Sequence, residues 1–277
     1  MKIFLTGGTG FIGSHFINQA HTAGHEVIAL RRSTKSKPRI PLQYEPSWID
    51  QPMSSVDARN LQGCDCLVHL AAHSANVPYD SLENCIQQNV LEPLALFRKA
   101  IESKIKRFIV AGSCFEFGAS GERYELIPPH APLEPTTSYP ASKAAASVVF
   151  HSLAKEENLE LLILRIFHVY GEGELTSRFW PGLRAAALQG EDFPMTDGLQ
   201  IRDFIPVEQV ANSFLGALER TDLQAGQPVF ENLGTGNAMT LADFARLQWE
   251  EFEAAGKLLI GARPMRQGEV MRFVPKV

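Results

Sequence analysis

Two residues four positions apart, Tyr139 and Lys143, form the pair in this sequence whose side chains are best suited to moving a proton. Residues at this spacing share one face of a helix, so the Lys143 ammonium is predicted to lie close to the Tyr139 phenol. A free tyrosine has a pKa near about 10, and a fixed neighbouring cation favours the phenolate and makes acid–base work at neutral pH feasible. A tyrosine with a solvated lysine one turn away is the alternative, and the rest of the sequence must decide between the two.

A glycine-rich turn, TGGTGFIG at Thr6–Gly13, follows an apolar run at Lys2–Thr6 and opens a helix-period segment. In that context Gly7, Gly10 and Gly13 allow a tight turn, a close approach of backbone to a pyrophosphate, and close packing of helix on strand. The helix N-terminus adds free N–H groups and the positive end of its dipole. The turn predicts a dinucleotide cofactor and favours the catalytic interpretation of the tyrosine–lysine pair.

The second predicted strand ends in Arg31-Arg32, within a run that carries five positive charges between Arg31 and Arg39. An NAD enzyme is expected to have Asp or Glu at this place, where the carboxylate binds the adenosine ribose. Guanidinium groups instead suit the 2′-phosphate of NADP. We therefore expect NADP(H), bound in part by Arg31 and Arg32; NAD above a solvated basic loop is the alternative.

Composition places the chain among ordinary globular proteins and excludes several classes. It has 277 residues, 45% of them hydrophobic and 21% charged, which is enough for one large α/β domain with an appended lobe. The net charge of −5 argues against a nucleic-acid partner. The four cysteines have neither a disulfide nor a zinc pattern, so we expect no metal. Because we find neither a signal peptide nor an apolar run of bilayer length, we expect a cytoplasmic protein without a membrane partner.

Strand-like apolar runs alternate with helix-period segments through the first 167 residues, which is typical of βαβ units. We predict an α/β fold: a Rossmann-like, doubly wound parallel sheet with a smaller C-terminal substrate lobe. Residues 1–167 form the predicted cofactor domain, and residues 168–277 mainly the lobe, with segments near 201–235 returning to the sheet. A long helix is predicted at Ser81–Ser103, kinked or broken at Pro93, and another begins near Tyr139.

Taken together, these motifs resemble the extended short-chain dehydrogenase/reductase family of nucleotide-sugar epimerases, dehydratases and reductases. The resemblance covers nearly the whole chain and is specific for the superfamily, but only weakly specific for the reaction. It rests on TGGTGFIG at Thr6–Gly13, HLAA at His69–Ala72, Asn89-Val90, GSCFEFG at Gly112–Gly118, YPASK at Tyr139–Lys143, LRIFHVYG at Leu164–Gly171, RDFIPV at Arg202–Val207 and NLGTG at Asn232–Gly236.

The resemblance implies a role for each matching residue. Tyr139 would be the acid–base, Lys143 its partner and a ribose ligand, and Ser113 the group that polarises the reacting carbonyl. His168, where the family usually has Asn, and two arginines that would clamp a substrate diphosphate are the implied substrate contacts; for both arginines a surface ion pair is the alternative. The cofactor would be lined by Gly7, Gly10, Phe11, Ile12, Gly13, Leu70, Ala71, Ala72, His73, Asn89 and Phe167, and the two clamping arginines would be Arg202 and Arg266.

Departures from the family pattern narrow the reaction. Family dehydratases place Asp-Glu directly after the catalytic Ser or Thr, whereas this chain has Cys114-Phe115, so dehydration is not expected. GSCFEFG and Arg31-Arg32 look most like reductases of nucleotide-linked 4-keto-6-deoxy sugars, and we predict NADP(H)-dependent reduction of such a C4 keto group. A C4-epimerase with tightly bound NAD and a non-catalytic NADP-binding regulatory protein are the alternatives. Relatives commonly dimerise through the two long helices, so the resemblance also implies a homodimer.

Overall fold

The computed structural model describes residues 1–265 and 269–277 of the chain. Its strands are β1 (Lys2–Thr6), β2 (Glu26–Arg31), β3 (Ser47–Asp50), β4 (Cys66–His69), β5 (Arg107–Ser113), β6 (Glu160–Ile166), β7 (His168–Tyr170), β8 (Phe193–Pro194), β9 (Ile201–Arg202), β10 (Phe204–Pro206), β11 (Val229–Leu233), β12 (Met239–Thr240), β13 (Leu258–Leu259) and β14 (Arg272–Phe273). Its α-helices are α1 (Phe11–Thr22), α2 (Leu82–Ile86), α3 (Glu92–Glu102), α4 (Ser138–Glu156), α5 (Phe179–Gln189), α6 (Val207–Ala217) and α7 (Leu241–Glu251).

Seven parallel strands form the main sheet, in the order β11-β6-β5-β4-β1-β2-β3. Strands β2 and β3 lie to one side of β1, and the chain then crosses to the other side of β1 with β4. This reversal opens a crevice at the carboxyl ends of β1 and β4, where open α/β sheets bind their ligands. The predicted Rossmann-like fold class is confirmed.

Apolar clusters cover both faces of this sheet because successive side chains of a strand point to opposite sides. Within β1, Ile3 and Leu5 belong to the cluster that also contains Phe16 of α1 and residues of α6. Phe4, between them, belongs to the opposite cluster with residues of α3 and α4, including Phe97. Each of these five side chains is buried. The two helical layers therefore hold the sheet rigid from both sides and fix the crevice at its edge.

The long helix predicted at Ser81–Ser103 is built from three parts. A π-helical turn, Gln87–Leu91, joins α2 to α3, and Pro93 follows it as the second residue of α3. Proline has no N–H to donate to the preceding turn, and a wider turn is a common way to accommodate that loss. The predicted break therefore lies just before Pro93, and it places Asn89 within the π turn.

A smaller set of elements packs beside the carboxyl end of the main sheet. Helices α5 and α7 share an apolar cluster that includes Leu183, Met195 and Trp249, and short strands pair as β8 with β13 and β9 with β12 and β14. The sequence did not predict α5, because Pro181 and Gly182 lie in its first turn, where a missing N–H costs little. In the described part of the chain, no helix has both the length and the apolar character needed to cross a membrane.

The glycine turn between β1 and α1 depends on close backbone contacts. A methyl group on Gly13 would lie 2.0 Å from the Gly7 carbonyl oxygen, and one on Gly7, whose φ is +77°, would lie 2.5 Å from the backbone nitrogen of Ala71. Helix α1, the turn after β1 and the loop after β4 can approach one another only because these positions lack a side chain.

We expect Gly13→Ala to lower the free energy of unfolding by about 1–3 kcal/mol, because the added methyl group forces the turn apart. Gly216→Ala is the matched control: Gly216 also lies within a helix, α6, and nothing lies within 4 Å of an added methyl group. There the better helix former should stabilise the protein by about 0.5–1 kcal/mol. Urea denaturation measures both variants, and equal effects would contradict this account of the turn.

Candidate active site

Ser113 ends β5 at the carboxyl edge of the sheet and begins a tight turn, Cys114–Phe117. The Ser113 hydroxyl accepts a hydrogen bond from the Phe115 N–H at 3.3 Å, and the Glu116 carboxylate accepts one from the Ser113 N–H at 2.8 Å. This reciprocal arrangement is a capping box, which fixes both the backbone and the side chain of Ser113.

Tyr139 and Lys143 lie on α4 and are both buried beside the end of β5. The Lys143 ammonium donates a hydrogen bond of 2.7 Å to the carbonyl oxygen of Ala111, two residues before Ser113 on β5. The fold thus brings the three residues that the sequence assigned to catalysis to one place, with the lysine held by the strand that carries the serine.

Burial dominates the electrostatics of this group. It raises the pKa of Tyr139 above its ordinary value, an effect that a hydrogen bond from Ser113 opposes, and it lowers the pKa of Lys143. The sequence-based expectation that Lys143 would lower the pKa of Tyr139 is therefore not met in this structure, because desolvation of the phenol has the larger effect. The raised pKa favours the protonated phenol over the phenolate.

The crevice beside β1 has the features of a dinucleotide site. The first turn of α1 has no side-chain cap, so its N–H groups remain available for an anion. The Thr6 hydroxyl lies 2.7 Å from His69 Nδ1 and accepts a hydrogen bond from the Ala71 N–H at 3.3 Å, which fixes the loop after β4 against the glycine turn. Burial lowers the pKa of His69 to about 3, so its ring is neutral. These residues fit a bound pyrophosphate.

Among the other residues assigned to the cofactor, Asn89 makes the most side-chain hydrogen bonds. Asn89 uses its side-chain amide to hold other protein groups: it accepts from the His73 N–H at 2.7 Å and donates to the His73 carbonyl at 3.1 Å and to Ser142 Oγ at 2.9 Å. Asn89 therefore braces the loop after β4 against α4. Around the crevice, Phe11 and Ile12 begin α1, Gly10 precedes them, Leu70 and Ala72 flank Ala71, and Phe167 follows β6.

Arg31 has a partner that sequence reasoning did not assign. Strands β2 and β3 pair in a register that sets Arg31 opposite Asp50, and Arg31 Nε lies 2.5 Å from Asp50 Oδ1. The guanidinium also lies over the Trp48 ring, 4.6 Å from its centroid. The side chain of the next residue, Arg32, is exposed. Only the pairing of the two strands reveals this contact, because Arg31 and Asp50 are 19 positions apart.

On the substrate side, His168 packs against the rings of Phe115, Phe204 and Phe273. Its Nδ1 atom is buried and has no hydrogen-bond partner within residues 1–265 and 269–277, and burial lowers the pKa of the ring to about 3. A neutral imidazole with a free nitrogen can therefore meet a ligand hydroxyl.

The two arginines assigned to the substrate diphosphate are Arg202 and Arg266. Arg202 is buried, and its Nη2 atom donates to Glu269 Oε1 at 2.9 Å and to the Val270 carbonyl at 2.6 Å. Arg202 is therefore paired with a partly exposed carboxylate in this structure. Arg266 lies outside the described residues.

Three further residues border the site that the sequence did not single out. The ring of Tyr79 lies 5.5 Å from that of Tyr139, centroid to centroid. Arg178 precedes α5, and its positive charge contributes to lowering the pKa of His168. Glu174, with an 8% exposed side chain, pairs with Arg178 at 3.3 Å, and its Oε2 atom has no partner among the described residues. No motif signals these contacts, and only the four-position spacing of Glu174 and Arg178 could have suggested one of them.

Glu174 should make the stability of the protein depend on pH. Burial raises its pKa from 4.5 to about 7, so the folded state favours the protonated form. The stabilising contribution is complete below the unfolded pKa and is lost as the pH rises through about 7. Between pH ~5 and ~8, wild type should therefore lose about 1–3 kcal/mol of unfolding free energy relative to Glu174→Gln. Urea denaturation at both pH values tests this, and Glu172→Gln, an exposed neighbour, should behave as wild type.

Comparison with known proteins shows which family this chain matches. The profile of the NAD-dependent epimerase/dehydratase family matches residues 3–231. The chain is 28% identical over 274 residues to the CDP-abequose synthase of Salmonella muenchen, covering 98% of this chain and 87% of that one. It is 26% identical over 310 residues to the UDP-glucose 4-epimerase of Neisseria meningitidis serogroup B, covering 98% of this chain and 88% of that one.

Solved structures of nucleotide-sugar enzymes are also similar to this chain. The structure of TunA, described as an NAD-dependent NDP-hexosamine 5,6-dehydratase, is similar with a TM-score of 0.84 at 26% identity, covering 100% of this chain and 89% of that one. The UDP-glucose 4-epimerase of Thermotoga maritima shares the fold with a TM-score of 0.85 at 24% identity, covering 100% and 90%. The glycine turn, the Ser113–Tyr139–Lys143 group and these matches lead to one conclusion: the chain belongs to the NAD-dependent epimerase/dehydratase family.

Proposed function

We propose that this protein is an NADP(H)-dependent reductase that acts on the C4 keto group of a nucleotide-linked 4-keto-6-deoxy sugar. The surroundings of Ser113 carry the proposal. Cys114 and Phe115 occupy the two positions where family dehydratases have an acidic pair. The carboxylate one position further, Glu116, is fully buried, with both oxygens in hydrogen bonds. It is therefore not free to move protons during loss of water, which leaves hydride chemistry at a carbonyl.

Tyr139 acts as the proton donor in this reaction. Burial raises its pKa and keeps the phenol protonated, which is the form needed when the carbonyl oxygen gains negative charge. Ser113 donates a second hydrogen bond to the same oxygen, and Lys143, fixed on Ala111, supplies positive charge next to the phenol. The nicotinamide cofactor supplies the hydride when it is bound.

The substrate is proposed to lie between the sheet edge and the smaller lobe. His168 offers its unpartnered Nδ1 to a sugar hydroxyl, and Arg202 offers its guanidinium to the diphosphate. Arg266 takes part in the same clamp by resemblance to the family. The names of the relatives, CDP-abequose synthase and UDP-glucose 4-epimerase, support a nucleotide-linked sugar as the substrate class.

NADP(H) is the proposed cofactor because the end of β2 carries Arg31 and Arg32. The ion pair with Asp50 holds the Arg31 guanidinium in place at the strand end and neutralises the carboxylate that would repel a 2′-phosphate. The exposed Arg32 adds a second cation. The same Arg31–Asp50 pair also occupies part of the guanidinium, and NAD is named for TunA, so a C4-epimerase with tightly bound NAD is the second candidate function.

We further propose that residues 1–167 form the cofactor domain and residues 168–277 mainly the substrate lobe. β11 lies in the main sheet, which supports a return of the later chain to the first domain. A homodimer is proposed through α2–α3 and α4. Three apolar side chains on this surface support it, since Leu82, Leu91 and Val148 are 49%, 48% and 59% exposed.

Replacement of the proton donor tests the chemistry. Tyr139→Phe removes one hydroxyl from a buried ring and should lower kcat for the keto sugar by about 10²–10⁴-fold, with little change in cofactor affinity. Absorbance at ~340 nm follows consumption of NADPH across a panel of nucleotide-linked 4-keto sugars. Tyr44→Phe, at a 58% exposed tyrosine, is the control and should retain full activity. If the cofactor stays bound and shows no net consumption, the reductase assignment is wrong and the epimerase is favoured.

Cofactor preference is tested by titrating the protein with NADPH and with NADH and following its fluorescence. We expect wild type to bind NADPH more tightly, and Arg31→Gln and Arg32→Gln each to weaken NADPH binding about tenfold through loss of a charge-assisted phosphate contact. Binding of NADH should change little. Arg59→Gln, whose side chain is 89% exposed and pairs with Asp57, is the control. Tighter binding of NADH by wild type would overturn the NADP(H) assignment.

A further inference from the structure

A buried carboxylate lies directly beneath the proposed catalytic residues. Glu116 is fully buried, and its Oε1 atom accepts a hydrogen bond from the Ser113 N–H at 2.8 Å. Its Oε2 atom accepts one from Ser147 Oγ at 2.7 Å and one from Arg165 Nε at 2.8 Å. The carboxylate therefore joins three elements: the end of β5, helix α4 and strand β6.

The surrounding sequence is shaped to admit this group. A methyl group on Gly112 would lie 3.0 Å from both Glu116 Oε1 and Arg165 Cγ, so the glycine leaves room for the pair under the strand. The Arg165 guanidinium lies 5.0 Å from the ring centroids of both Phe117 and Phe230, and its Nη1 atom donates to a backbone carbonyl at 2.7 Å. Arg165 is thus held as firmly as the carboxylate that it neutralises.

Stability alone is a poor explanation for such a pair. Desolvation of two charges offsets much of their attraction, and well-packed apolar residues of similar size often stabilise a core equally well. The position of the pair beside the proposed catalytic residues offers a better explanation. The charge of Glu116 acts on both Tyr139 and Lys143, and raises the pKa of each. An uncompensated charge at this place would therefore alter the proton donor.

We propose that Glu116 and Arg165 are positioning residues of the active site: Glu116 fixes Ser113 through its backbone, and Arg165 cancels the charge that Glu116 would present to Tyr139. The inference rests on the proposed role of Tyr139 as proton donor. Three groups besides Glu116 act on that phenol, namely Ser113, Cys114 and Tyr79. Lys143 lies one helical turn from Tyr139 on α4. None of these residues is itself replaced in the variants below.

The test places a fluorinated tyrosine of low intrinsic pKa at position 139 and follows its ionisation by absorbance, without substrate or cofactor. Glu116→Gln leaves Arg165 charged and unpaired, so the phenol should ionise more readily, with an apparent pKa lower by about one unit, or tenfold in the ionisation constant. Glu116→Gln with Arg165→Met removes both charges and keeps an acceptor for Ser113, so the wild-type value should return. Glu102→Gln, at an exposed site on α3, is the control.

A second neutral pair isolates the effect on Ser113. Glu116→Leu with Arg165→Met removes the acceptor for the Ser113 N–H, so the serine should lose its fixed geometry and its hydrogen bond to the phenol. Ionisation at position 139 should then become harder than in the Gln/Met pair. This comparison decides the inference even if Glu116→Gln alone does not fold.

Two results would overturn the inference: an unchanged pKa in a folded Glu116→Gln, or identical pKa values in the two neutral pairs. Because the readout needs no substrate, an inactive wild type would refute the proposed function and leave this test intact.

Discussion

Parallel pairing of β1, β4, β5 and β6 fixes where the candidate active site lies. Parallel hydrogen bonding keeps these strands in register, with Thr6 opposite His69 and Ser113 opposite Ile166. All four strands therefore end at the same edge of the sheet. The glycine turn, the loop after β4 and His168 follow the ends of β1, β4 and β6, and Ser113 is the last residue of β5. Residues far apart in sequence therefore meet at this edge. Helix α4 then needs only to pack against β5 to bring Tyr139 to the serine.

Several polar side chains behind this edge hold one another by hydrogen bonds, which fixes their positions before any ligand binds. A buried polar group without a partner is costly, so each contact both stabilises its own neighbourhood and fixes the next element. Such preorganisation is what a site needs if charge is to be stabilised in a transition state without rearrangement. The contacts concerned are Thr6 with His69, Asn89 with His73 and Ser142, Lys143 with Ala111, and Glu116 with Ser113, Ser147 and Arg165.

Two of the guanidinium groups assigned to phosphates have carboxylate partners, whereas the Arg32 side chain is exposed. Arg31 pairs with Asp50, and Arg202 with Glu269. A phosphate that binds at either place must share the guanidinium with a carboxylate or displace it, and the net gain in affinity is the difference between the two contacts. Arg202 is nearly buried, with a side chain 10% exposed, so an exchange there involves desolvated charges and discriminates more strongly than one at the protein surface.

Local signals in the sequence predict the fold class, which the structure confirms, and the three positions proposed for catalysis. Strand–turn–helix context identifies Gly7, Gly10 and Gly13, and helical spacing joins Tyr139 to Lys143. The contacts that these and other site residues make depend on the tertiary structure. Asp50 reaches Arg31 through strand register, and Glu116 reaches Arg165 across 49 positions of chain. Tertiary structure also sets the direction in which the pKa of Tyr139 shifts, because burial of the phenol raises it whatever the effect of the nearby ammonium. Desolvation depends on everything that packs around a group and not on its neighbours in sequence.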